Sequence, residues 1–182
     1  MMGPPRFHTV HAIGVINLAR LTGCETILPT ALFQCCQLGK ELVSGFERSD
    51  GTLERLSTHD LELCVVARAN LMKESVDMAL RLSVPVLWHN CTRRAQCAAV
   101  LSLSHLVNSG IFNTANTCTA NPFEFGALML DSIHMYLCQH CGPLLHDRDA
   151  YECRSVWVRL PSILGLRVPE VGNGGGDVAP QD

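Results

Sequence analysis

Two pairs of cysteines are the residues of this sequence best suited to bind a metal ion. Cys91 and Cys97 form the first pair, and Cys138 and Cys141 follow about forty positions later as a Cys-x-x-Cys pair. Thiolate sulfur is a preferred ligand of Zn²⁺, and many structural zinc sites join two such pairs in a tetrahedron. The sequence therefore predicts one structural zinc site formed by Cys91, Cys97, Cys138 and Cys141.

The segments between the pairs predict two helices that bring the sulfurs together. One helix is expected over 97–110, with Gly110 as its stop, and a second over 122–138. Asn121 and Glu124 fit a capping box at the start of the second helix. At 1.5 Å per residue the first climbs about 20 Å and the second descends about 24 Å. An antiparallel arrangement then places all four sulfurs at one end of the hairpin.

This zinc prediction has a geometric test and open alternatives. Zinc–sulfur bonds of about 2.3 Å require sulfurs about 3.5–4 Å apart, so a separation of Cys91 and Cys138 above about 8 Å would exclude the site. His89 or His140 could replace one cysteine as a ligand. Four cysteines at the ends of amphipathic helices are also compatible with packing in the absence of metal.

A structural role for the metal is favoured over a catalytic one. A zinc deaminase needs His-x-Glu ahead of Pro-Cys-x-x-Cys, but Leu137 stands in the place of that proline and no His-x-Glu occurs. The sequence also lacks His-Glu-x-x-His, a Gly-x-Ser-x-Gly elbow and a Walker lysine. Four thiolates close the coordination sphere, which leaves no position for a reactive water.

The longest helix is predicted to begin after Ser57, where Asp60 completes the cap, and to end before Pro85. Its apolar residues follow the helical period and are expected to pack. They are Leu61, Cys64, Val65, Leu71, Met72, Val76, Ala79 and Leu80.

The remaining segments also favour helices. Cys35 and Cys36 are interpreted as packing residues, because buried cysteine behaves as a small hydrophobe. Gly142-Pro143 is expected to break the chain before a last helix over 145–160. Since no alternating strand pattern persists, the fold prediction is all-α: an irregular bundle of about six helices with the zinc-stapled hairpin. The expected organisation is a disordered lead-in over 1–6, a helical domain over 7–168 and a flexible Gly/Pro tail over 169–182.

Composition excludes several classes of function. Fourteen basic and seventeen acidic residues give a net charge of −3, which argues against binding a nucleic-acid backbone. No apolar run is long enough for a membrane helix, and the beginning of the chain does not resemble a signal peptide. The predicted location is therefore the cytoplasm or nucleus, where thiols stay reduced and closely spaced cysteines favour metal over disulfides.

Several separated motifs resemble one family. HAIGVINLARLTGCETILPTALFQCCQL (11–38), ERLSTHDLELCVVARANLM (54–72), LCQHC (137–141) and VWVRLPSILGL (156–166) are similar to the helical region that follows the BTB/POZ domain in basidiomycete (fungal) BTB proteins. The resemblance covers roughly 8–168 and begins at the helical region. The BTB dimer interface and the ubiquitin-ligase adaptor role therefore do not transfer to this chain.

The function predicted from these features is a non-catalytic protein-interaction or scaffold module. Grooves between its helices would bind a helix or peptide of a protein partner. An alternative is a cysteine-dependent hydrolase, which needs a thiol with a low pKa beside a histidine. A zinc-stapled nucleic-acid binder is a third possibility, against which the net charge argues.

Overall fold

The structure is a computed structural model that describes residues 8–166 of the chain. The predicted lead-in over 1–6 and tail over 169–182 lie outside these residues, as do positions 7 and 167–168. Within 8–166 the chain forms nine α-helices and one two-stranded sheet, so the all-α prediction is confirmed. No helix in this part of the chain is both long enough and apolar enough to cross a membrane.

The helices and strands follow one another along the chain with short connections. The helices are α1 (Ala12–Thr22), α2 (Leu28–Cys36), α3 (Glu41–Ser44), α4 (Thr58–Leu82), α5 (Arg94–Leu101), α6 (Leu103–Asn108), α7 (Thr114–Thr117), α8 (Glu124–Ile133) and α9 (Cys141–Ile163). The strands are β1 (Phe46–Glu47) and β2 (Leu53–Glu54), paired antiparallel with Phe46 opposite Glu54. Turns of 3-10 helix occupy Thr9–His11, Glu25–Ile27 and His134–Tyr136.

The first arm of the predicted hairpin is two helices, α5 and α6, rather than one over 97–110. Ser102 has an extended backbone, with φ −69° and ψ 142°, which ends α5. Its Oγ then accepts a hydrogen bond from the His105 N–H at 3.2 Å and caps α6. A serine that caps the second helix therefore divides the arm.

The second arm is also shorter than predicted. Helix α8 begins at Glu124 and ends at Ile133, and the 3-10 turn His134–Tyr136 carries the chain towards Cys138. The predicted capping box is not formed, because the residue that precedes α8 is Phe123 and no side chain caps this helix. Asn121 and Glu124 meet instead through their side chains, with the Asn121 amide donating to the Glu124 carboxylate at 2.8 Å.

Helix α9 differs from its predicted start. Gly142 and Pro143 lie in the first turn of α9, which begins at Cys141, instead of breaking the chain. A proline is tolerated there because the first turn of a helix needs no intrahelical N–H donor. Cys141 is consequently fixed in a helix.

Helix α4 begins as the sequence predicts. The Asp60 N–H donates to Ser57 Oγ at 3.1 Å, and Ser57 Oγ donates to the Asp60 carboxylate at 2.8 Å. Arg20 of α1 pairs with the same carboxylate at 2.7 Å. This cap ties the start of α4 to α1, and α4 ends at Leu82, before Pro85.

The core consists of two clusters of buried side chains, and α4 and α9 contribute to both. The first cluster is formed by α1, α2, the first half of α4 and the end of α9. The second is formed by the second half of α4, α5, α6, α8 and most of α9. Representative members of the first cluster are Ile13, Ile16, Leu32, Cys64, Leu71, Leu160 and Leu164. Representative members of the second are Met78, Leu82, Leu101, Phe125, Met129, Leu145 and Val156.

Glu74 lies on α4 between the residues of the two clusters and connects α4 to α9. Arg159 of α9 donates to both Glu74 oxygens, at 3.0 and 2.7 Å, and Arg81 donates to one of them at 3.0 Å. Arg81 also pairs with Glu152 of α9 at 2.8 Å. The hydrogen bonds from Arg159 are the main cause that lowers the pKa of Glu74 below its usual 4.5, against the opposing effect of burial.

Replacing Glu74 should therefore destabilise the pairing of α4 with α9. Glu74→Gln is expected to cost about 1–3 kcal/mol of unfolding free energy at pH 7, since it removes charge-assisted hydrogen bonds. Because the folded pKa is lowered, the stabilisation is present above the unfolded pKa of 4.5 and is lost as the pH falls through the folded value. The difference from the wild type should therefore shrink on acidification below 4.5. Urea unfolding across this pH range measures it.

Asp77→Asn is the matched control for this experiment. Asp77 pairs with Lys73 at 3.7 Å on the exposed side of α4, so its loss should change stability by less than about 0.5 kcal/mol. Equal effects of the two substitutions would contradict the structural role assigned to Glu74.

Candidate metal centre

Four buried cysteine sulfurs meet in the second cluster of the core. The Sγ atoms of Cys91, Cys97, Cys138 and Cys141 all lie within 4.8 Å of one another, and those of Cys91 and Cys138 are 3.7 Å apart. A tetrahedral Zn²⁺ with bonds of about 2.3 Å needs sulfurs about 3.8 Å apart. The predicted convergence of the two pairs is confirmed. The widest separation needs to contract by about 1 Å to match that tetrahedron.

The first pair is held by the start of α5. Cys91 lies in the loop before α5, where its N–H donates to the Trp88 carbonyl at 3.0 Å and closes a turn. Cys97 is in the first turns of α5, and its N–H donates to the Arg93 carbonyl at 2.8 Å. One ligand of the pair is thus on a loop and the other on a helix.

The second pair is held by a tight turn at the start of α9. The Cys141 N–H donates to the Cys138 carbonyl at 3.1 Å, which places both side chains on the same side of the turn. The Cys138 N–H donates to Cys97 Sγ at 3.4 Å. This N–H···S hydrogen bond connects the two pairs directly.

Side chains of α5 fasten the two pairs to each other. Arg93 donates to the Leu137 carbonyl at 2.7 Å, and Gln96 donates to the Tyr136 carbonyl at 3.4 Å. Both acceptors lie in the segment that leads to Cys138. The sequence reading did not identify Arg93 or Gln96, although their positions beside Cys97 are compatible with a supporting role. They fix the register of the two segments without being ligands.

The pKa is shifted in three of the four cysteines, and Cys138 has the most acidic thiol of these three. Burial by itself raises its pKa, but the backbone N–H groups of Cys141 and His140 and the thiols of Cys141 and Cys91 lower it to about 5. At neutral pH this sulfur is therefore a thiolate. A deprotonated sulfur is the form that binds a metal ion.

The other two shifted thiols of the cluster are held protonated. Burial and the neighbouring sulfurs of Cys91 and Cys138 raise the pKa of Cys141 to about 12, and burial likewise raises the pKa of Cys97. A divalent cation would reverse this, because a coordinating thiol loses its proton. The site thus combines the Cys138 thiolate with two thiols, those of Cys97 and Cys141, that need a cation in order to ionise.

The histidines proposed as substitute ligands are not among the convergent groups. Among the described residues the group that could hold a metal consists of the four cysteines. The His89 ring lies against the Trp88 ring, with centroids 4.8 Å apart, and His140 contacts Gln139. The donor set is therefore four sulfurs.

The remaining cysteines have other surroundings. Cys35 and Cys36 are fully buried in the first cluster with Cys64, and Cys36 Sγ donates to the Cys64 carbonyl at 3.7 Å. Burial is the main cause that raises the pKa of Cys35 to about 12, which is expected of a packing residue. The packing role predicted for Cys35 and Cys36 is confirmed. Cys153 is half-buried and interacts with Asp149.

A surface cavity of about 640 Å³ adjoins the cluster between α8 and α9. Its lining combines apolar side chains, two histidines, two aspartates and one cysteine of the cluster. These residues include Leu130, Asp131, His134, Leu137, Cys138, Pro143, His146 and Asp147. This cavity was not predicted from the sequence. The spacing of Asp131 and His134 indicates that the two side chains lie on the same side of the chain, but it does not indicate that α9 packs opposite them.

No protein-family model, no curated protein and no solved structure matches the chain. The interpretation of the cluster therefore depends on its geometry and donor set. Four buried thiols from two separate segments, with no carboxylate among them, can hold a soft or borderline metal ion in a closed site.

Proposed function

We propose that the four-cysteine cluster binds one structural Zn²⁺ and that the helical domain around it is a non-catalytic protein-interaction module. The observation that carries the zinc is the set of four sulfurs within 4.8 Å in the second cluster. Four thiolates suit zinc, and the proposed location is the cytoplasm or nucleus, where thiols stay reduced. The metal would clamp the loop before α5 to the start of α9.

The interaction role is supported by an unpaired apolar face of α4. Val65 and Met72 are 58% and 40% exposed, and Leu80 is 44% exposed. With Ala69 and Val76 these residues recur every three or four positions, so they form one stripe on the side of α4 away from the core. A protein partner with an amphipathic helix fits such a stripe. The resemblance to the region following a fungal BTB domain agrees with an interaction role and stays a prediction.

A cysteine-dependent hydrolase is the second candidate function. It is favoured by the Cys138 thiolate, whose pKa is about 5, and by a cavity lined by Cys138, His134 and His146. A nucleophilic cysteine with a histidine as base would need these features. Two points argue against a hydrolase. The groups that lower the pKa of Cys138 belong to the thiol cluster and to the turn that carries Cys138, not to a catalytic histidine. A bound zinc ion would also coordinate the sulfur.

Zinc binding is tested by metal analysis of the purified protein. We expect one equivalent of zinc, and a chelator should lower the melting temperature by roughly 10 °C, because binding at a thousand times Kd contributes about 4 kcal/mol. Cys141→Ser should lose the zinc, whereas Cys153→Ser, on the same helix outside the cluster, should retain it. Zinc-free wild-type protein, or equal zinc content in both variants, would contradict the proposal.

The interaction surface is tested by charge on the α4 stripe. Val65→Glu with Met72→Glu should leave the melting temperature within a few degrees of the wild type, because both side chains already face water. A partner retained by the wild type should bind the double variant at least about tenfold more weakly. Lys73→Gln, on the polar side of α4, is the control and should bind normally. Equal binding of the partner by all three proteins would show that the α4 stripe does not contribute to the interaction.

Thiol labelling separates the hydrolase from the zinc-stapled module. With zinc bound, an iodoacetamide probe at pH 7 should react with the exposed Cys24 and Cys118 before Cys138. After chelation Cys138 should become the fastest cysteine, because its thiolate is freed. Selective labelling of Cys138 in the zinc-loaded protein, read by peptide mass spectrometry, would favour the hydrolase.

A further inference from the structure

We propose that Cys91 and Cys138 form a redox-modification site, in which a peroxide-class oxidant joins the two sulfurs as a disulfide and the metal ion leaves. The inference rests on the proposed zinc centre, since it describes chemistry at the same four cysteines. It is carried by the access to these two residues, the distance between them and their positions in the chain.

Access to solvent divides the four cysteines into two kinds. Cys91 and Cys138 are 9% and 4% exposed, whereas Cys97 and Cys141 are 0% and 1% exposed. Cys138 also lines the cavity between α8 and α9. A small oxidant therefore has a path to Cys138 that the structure does not provide to Cys97.

The two more exposed cysteines are also in contact with each other. Their Sγ atoms are 3.7 Å apart, so a disulfide of about 2.05 Å needs an approach of about 1.7 Å. Both residues lie outside the α-helices, Cys91 in the loop before α5 and Cys138 in the turn before α9. Cys97 and Cys141 are held within α5 and α9. The more exposed pair is thus also the pair that lies outside the helices, where closure does not require a helix to distort.

The chemistry is a two-electron oxidation with hydrogen peroxide as the oxidant. The Cys138 thiolate attacks one peroxide oxygen and the O–O bond breaks. Hydroxide is the leaving group, and Cys138 becomes a sulfenic acid. The Cys91 thiolate then attacks the Cys138 sulfur, an S–S bond forms, the S–O bond breaks, and a second hydroxide leaves. Solvent protons convert both hydroxides to water. The two sulfurs lose the two electrons that reduce the peroxide.

Metal release follows from the loss of two ligands. A disulfide leaves Cys97 and Cys141 as the thiolates that face the ion, and two ligands do not hold a structural zinc. The reaction is reversible, because a thiol reductant restores Cys91 and Cys138.

The experiment treats the zinc-loaded full chain with hydrogen peroxide after its zinc content has been measured. Released zinc is followed with a chromogenic chelator, and disulfides are mapped by mass spectrometry of unreduced peptides. We expect one equivalent of zinc per Cys91–Cys138 disulfide, with recovery of binding after dithiothreitol. A Cys24→Ser, Cys118→Ser double variant lacks two exposed thiols and should release zinc at the same rate.

Two results would overturn the proposal. One is zinc release with a different pair of cysteines joined, and the other is oxidation of Cys24 and Cys118 while zinc stays bound. If the purified protein holds no zinc, the proposed function fails before oxidant is added. The proposed disulfide is then tested with the metal-free chain. Formation of the Cys91–Cys138 disulfide on addition of peroxide supports the redox-modification site, and its absence overturns the site.

Discussion

The rest of the structure depends on the contact between α4 and α9, the two long helices that run through both clusters of the core. Each helix contributes apolar side chains to both clusters, and Glu74 joins them through Arg159 and Arg81. A carboxylate that is largely removed from water is stable only when such partners satisfy it. The shared helices therefore make the two clusters mutually dependent, although each has its own set of side chains.

A metal ion bound by the four cysteines would stabilise the second cluster where α5 meets the start of α9. Helices α5 and α6 are short, and short helices are marginal without tertiary support. A cation held by thiolates from α5 and α9, and from the segments just before them, would supply strong directional bonds where apolar contact area is small. The four cysteines thus lie where one of these short helices, α5, meets the start of α9.

The sequence predicted the convergence of the four cysteines because paired ligands are a local signal that distant segments meet. The two helices expected to bring the pairs together were not predicted correctly, since the first is divided at Ser102 and the second ends at Ile133. The cap at Ser57 was equally predictable, since it needs residues only three positions apart. Two features were not. Apolar residues on α4 form two stripes, and periodicity cannot tell that Leu71 faces the core while Met72 faces water. A proline such as Pro143 predicts a break unless a helix is known to begin one or two residues before it.

The contribution of α9 to the first cluster has a consequence for synthesis on the ribosome. Leu160 and Leu164 complete a cluster whose other fully buried members lie between Ala12 and Leu71. The chain emerges from its amino end, so α1, α2 and half of α4 are exposed while about ninety further residues are being made. During that interval their apolar faces lack the helix that covers them. The apolar faces of α1, α2 and the first half of α4 are therefore fully covered only after α9 has been made.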